Sequence, residues 1–121
     1  MKVKKIKVPM YDFNVTYIEI ESKEDANIIP KYFKPIKVEE EDACSIIETI
    51  KEEGKNGGST FRNLGLKEFL IIIYEAENEA NLKNVKAHEL RHLTDRILEW
   101  ANIDDSEAAA FLQGYLFEKL Y

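Results

Sequence analysis

Cysteine, histidine, positive charge and long apolar runs are all scarce in this chain, and each scarcity narrows the reading. A single cysteine, Cys44, cannot form a disulfide within the chain, which points to a reducing compartment. The longest apolar run, Phe69 to Tyr74, is far shorter than the ~20 residues a membrane-spanning helix requires, so no membrane partner is expected. Lys and Arg number 17 against 23 Asp and Glu, a net charge of -6. Such a balance offers no broad basic face to a phosphate backbone and excludes nucleic acid as the expected partner. The opening residues Met1-Lys2-Val3-Lys4-Lys5 run into an alternating pattern and not into an apolar signal core, so a cytoplasmic location is expected. No internal repeat, low-complexity tract or composition break marks a linker.

What is present is ordinary globular composition, 45% apolar and 33% charged over 121 residues, which predicts one domain spanning 1–121. Lys2 to Glu21 is rich in Val, Ile, Tyr and Thr around Pro9 and reads as a hairpin or one kinked strand. A short helix is expected near residues 23 to 33, started by Ser22 and Asp25, interrupted by Pro30 and closed by Pro35. Ala43, Ile46, Ile47 and Ile50 recur at helical spacing in Glu39 to Glu53, with Gly54 as a stop. Asn56-Gly57-Gly58 predicts a turn, Thr60 to Arg62 a short strand, and Asn63 to Gly65 a second turn. Phe69 to Tyr74 is the strongest strand and, being apolar on both faces, belongs inside the sheet. Residues 79 to 101 and 104 to 121 predict two long helices, the second containing Gly114. Strands first and long helices last predict an α+β fold, a small mixed or antiparallel sheet with helices over one face.

The two histidines of the chain fall together in His88-Glu89-Leu90-Arg91-His92. At about 100° per residue, positions 88 and 92 lie within roughly 40° of each other on a helix, so both imidazoles can reach one metal ion. Glu89 sits one step around, where it can hold a water and take its proton. Leu90, Leu93, Ile97 and Trp100 or Ala101 form an apolar seam facing away from the histidines. Asp95 and Glu99 fall on the histidine side, where a carboxylate could accept the second ring N–H of a ligand.

Catalytic zinc usually takes three protein ligands. The candidate for the third is Glu107, 15 residues after His92 at the start of the next helix, with Glu99, Asp104 and Asp105 as competitors. Glu107 also has a purely structural reading, since Asp104-Asp105-Ser106-Glu107 has capping-box spacing. Tyr74, Tyr115, Tyr121 and Arg91 are candidate hydrogen-bond donors to a developing oxyanion, but each tyrosine is better read as a core or interface residue and none is assigned a catalytic role.

The strand Phe69 to Glu75, the His88–His92 helix and the segment Ser106-Glu107-Ala108-Ala109-Ala110-Phe111 together resemble a gluzincin-type zinc metallopeptidase. Within that group the chain is similar to small HExxH proteins of phages and mobile elements, over residues 58 to 121. The resemblance implies a minimal zincin-like fold, with zinc held by His88, His92 and Glu107 and with Glu89 as general base. It also implies that the strand at 69 to 75 pairs with an extended peptide or protein substrate. Many gluzincins carry an Asp four residues after the ligand Glu; Phe111 stands there in this chain. The expected function is therefore zinc-dependent peptide hydrolysis. Two rival readings are a non-catalytic zinc-binding interaction module and a regulatory ImmA/IrrE-type peptidase that cuts one cognate protein.

Overall fold

A computed structural model describes residues 1–52, 57–74 and 78–121. Strands β1 (Lys2–Val8) and β2 (Phe13–Glu19) form an antiparallel hairpin. Its turn holds Pro9 outside both strands and Asp12 in the left-handed region at φ 58°, a conformation Asp tolerates better than most residues. A 3-10 turn at Lys23–Asn27 leads to helix α1 (Pro30–Ile36), followed by helix α2 (Glu40–Lys51).

The single helix expected near 23 to 33 is thus two short elements. Pro30 does not interrupt a helix but opens α1 at its first turn, where a missing N–H costs nothing. Pro35 lies inside the last turn of α1, and the helix ends at Lys37 with φ 58°. Gly54 and Asn56, expected at the stop after α2 and in the following turn, lie outside the described residues.

Strands β3 (Gly58–Asn63) and β4 (Glu68–Ile73) form a second antiparallel hairpin, and helices α3 (Glu79–Trp100) and α4 (Ser106–Leu120) follow. The sheet order is β1-β2-β4-β3, with β2 and β4 parallel. A parallel pair needs a long crossover, and the segment from Lys23 to Lys51 supplies it.

This connection explains why the helices do not cover one face of the sheet, as the order of elements suggests, but both. On one face Phe69, Ile71 and Ile73 pack with Leu90, Leu93 and Ile97 of α3 and with Leu112 and Leu116 of α4. On the other, Leu70, Ile72 and Tyr74 pack with Ile29, Phe33, Ile46 and Ile50. β4 is apolar on both faces because both are roofed, and its five apolar strand residues are essentially inaccessible. The α+β class holds. No helix among the described residues is long and apolar enough to cross a membrane.

Register assigns the side chains of the edge strand β3. Gly58, Thr60 and Arg62 pair with Ile73, Ile71 and Phe69 and share their face with α3. Ser59 and Phe61 pair with Ile72 and Leu70 on the face of α1 and α2.

Candidate metal centre

Helix α3 begins at Asn78, whose side chain accepts from the Asn81 N–H and caps one of the free donors of the first turn. Leu90, Leu93 and Ile97 are fully buried against the sheet, and this seam fixes the rotation of the helix. His88 and His92 are consequently exposed. Their Nε2 atoms approach to 3.0 Å and their rings meet edge to face. Two imidazole nitrogens on one tetrahedral zinc, each ~2.05 Å from the ion, would stand roughly 3.3 Å apart. The observed separation is within a few tenths of an ångström of that, so the pair fits a shared ion without rearranging the helix.

Glu89 faces the sheet and is 5% exposed. Its Oε2 accepts a 2.6 Å hydrogen bond from the Thr60 hydroxyl on β3. The approach is close enough that a Cβ built on Gly58 would stand 2.7 Å from Glu89 Cγ and 3.1 Å from the Ile72 carbonyl oxygen. Glycine at 58 therefore makes room for the Glu89 stem. Ligand atoms of His88, Glu89 and His92 all lie within 4.8 Å of one another. The three line an open cleft of about 520 Å³ between α3, β3 and the start of α2, whose wall includes Asp42, Ser45, Arg62 and Arg96. A smaller groove of about 380 Å³ extends past Gly57, Asn84 and Val85 on the other side of Glu89.

Glu107 is not brought to this group. It is exposed in the first turn of α4, does not line the cleft, and its backbone N–H donates to Asp105 Oδ1 at 2.8 Å. The reason is the level of the helix hairpin. Arg91 Nη1 lies 3.5 Å from Gln113 Oε1, which sets residues 91 and 113 side by side. Glu107 lies six residues nearer the turn, roughly 9 Å along the axis. The alternative reading, a capping box, does not form either, because the N-cap is Asp105 and not Asp104.

The other expected partners are engaged elsewhere. Asp95 pairs with Arg91 at 3.0 Å and Glu99 with Arg96 at 3.0 Å. The Tyr121 hydroxyl donates to the Lys86 carbonyl at 3.0 Å, and Tyr74 shares a short hydrogen bond with Ser59. Burial, and after it the negative charge of Glu89, pushes the Tyr74 hydroxyl above its usual range, against the opposing pull of Ser59. Neither these two tyrosines nor Tyr115 nor Arg91 lines the cleft. β4, expected to receive an extended substrate, is paired on both sides by β2 and β3. The strand that borders the cleft is β3, whose outer edge pairs with no strand among the described residues.

Sequence reasoning missed Thr60, Gly58, Arg62 and Arg96. Thr60 and Arg62 alternate on β3 and Arg96 stands four residues after His92, a signal readable only once β3 is set beside α3. Compared with models of protein families, with curated proteins and with solved structures, the chain matches none.

Proposed function

We propose that the chain is a small zinc-dependent peptidase centred on His88, Glu89 and His92. The observation that carries this reading is the convergence of the two Nε2 atoms at 3.0 Å beside a buried, hydrogen-bonded carboxylate in an open cleft. Neutral imidazoles suit zinc, a borderline cation content with nitrogen ligands. His88 and His92 would hold the zinc, which would supply a Lewis acid for the scissile carbonyl and for a water. Glu89 accepts the proton of the attacking water and passes it to the leaving amine. Thr60 holds the Glu89 carboxylate in one orientation, so that little freedom is lost when it acts.

The unpaired edge of β3 offers N–H and C=O groups to an extended peptide by strand addition, a role β4 cannot fill. Glu107 is left out of the ligand set. The rival reading of a non-catalytic zinc-binding module is favoured by one observation, that among the described residues the donors brought together stop at two imidazoles and Glu89.

Glu89→Gln separates the two. The variant retains zinc and loses hydrolysis of a mixed peptide library if Glu89 is the base. Retained hydrolysis contradicts the mechanism, and a wild-type protein that binds zinc yet cuts nothing supports the module.

A further inference from the structure

The cleft carries two arginines, Arg62 without an ion-pair partner among the described residues and Arg96 held by a single partner on its own helix. Arg62 follows Thr60 by two residues on β3, on the face turned to α3. Arg96 follows His92 by one turn of α3. Both line the same cavity as the histidines. Gly58 shares a groove with Val85 and Thr60 bonds Glu89, so β3 runs in the direction of α3. Arg62, roughly 6.8 Å beyond Thr60, and Arg96, roughly 6 Å beyond His92, both lie past Glu89 on the same side.

Arg62 is exposed and has no ion-pair partner among the described residues. Arg96 has one, Glu99, three residues along the same helix, with the Arg96 side chain 42% and the Glu99 side chain 69% exposed, a pairing that solvent weakens. The other charged groups on the cleft are Asp42, which comes from α2, and Glu89, whose Oε2 is engaged by Thr60. In a chain of net charge -6, two weakly engaged guanidinium groups in one cleft favour a carboxylate ligand, which each can bind bidentately.

We propose that Arg62 and Arg96 form a carboxylate-binding subsite that selects peptides carrying an acidic group within about two residues of the histidine pair, the reach set by strand spacing. This rests on the peptidase reading for its consequence in cleavage, but not for the binding itself. The carboxylate is either an acidic side chain or the C-terminus of the peptide.

The test uses fluorescein-labelled peptides that differ only in Glu, Gln or Lys near the centre, each made with a free and an amidated C-terminus. Binding is read by anisotropy on metal-free protein, and cleavage on zinc-loaded protein. The Glu peptides should bind and be cut roughly tenfold better than the Gln peptides, the scale of one charge-assisted hydrogen bond. Arg62→Gln and Arg96→Gln should each erode that ratio, and Arg62→Glu should turn it toward the Lys peptides. A preference that follows the free C-terminus and not the Glu assigns the same subsite to the terminal carboxylate. Cleavage without any preference for a carboxylate overturns the subsite and leaves the peptidase reading standing. Arginine-dependent binding to metal-free protein without cleavage supports the subsite and counts against the peptidase. Equal binding of all peptides by wild type and variants overturns the proposal.

Discussion

β1 carries lysine at four of its seven positions, Lys2, Lys4, Lys5 and Lys7, whereas β3 at the opposite edge of the sheet carries none. Both are edge strands of one four-stranded sheet, and the outer edge of each pairs with no further strand among the described residues. Lysines on an edge keep other strands from adding to it. At the β3 edge the positions facing α3 are instead a glycine with no room for a Cβ, a threonine bonded to Glu89, and an arginine open to the cleft. One edge repels a further strand, and the other leaves space for one beside the histidines. The composition of an edge strand thus indicates which side of a small sheet is available for work.

The contrast can be broken most severely at Gly58. Gly58→Ala drives a methyl against Glu89 Cγ and the Ile72 carbonyl and should destabilise the fold by about 1–3 kcal/mol, as overpacking does. On the other edge, Lys4→Ala should stay within about 0.5 kcal/mol, as surface changes do. Urea denaturation of the two variants side by side checks the difference; equal costs would remove the distinction.

An effect of comparable size is expected at Thr60. Thr60→Val keeps the shape of the side chain but leaves Glu89, which is 5% exposed, without its hydroxyl donor, at a cost of about 1–3 kcal/mol. Thr60→Ser should recover most of the loss. In a peptidase assay the valine variant should lower kcat more than it changes KM, because Thr60 acts through Glu89.

The smallest effect is expected at Glu107. The side chain is exposed, and the cap at this helix start is made by Asp105. Glu107→Ala should cost no more than about 0.5 kcal/mol and leave zinc affinity unchanged by calorimetric titration. A large drop in affinity would restore it as a ligand and require α4 to shift along α3.

The His88–His92 pairing was legible because helical periodicity is local: a spacing of four on an amphipathic helix fixes direction without knowledge of the rest of the chain. β4, α3 and α4 were legible for the same reason. Glu107 was not, because distance along the sequence does not reveal the level at which two helices of a hairpin meet; the turn and the packing of Leu112 and Leu116 decide it. The second helical layer was only half legible: the spacing of Ile46 and Ile50 announced α2, whereas Pro30 and Pro35 read as breaks although the first opens α1 and the second lies in its last turn. Thr60 and Arg62 were silent because a short strand of mixed composition acquires faces only when its register with β4 is known.

On the proposed reading, His88 and His92 hold one metal ion between them. Elemental analysis of protein loaded with zinc and then exhaustively desalted tests it directly, with His88→Ala and His92→Ala carried through in parallel. About one zinc per wild-type chain is expected, as for a single site, with a loss of retained zinc in either variant whose circular dichroism remains that of the wild type. Stoichiometric zinc in the His88→Ala, His92→Ala double variant, or none in the wild-type protein, would contradict it.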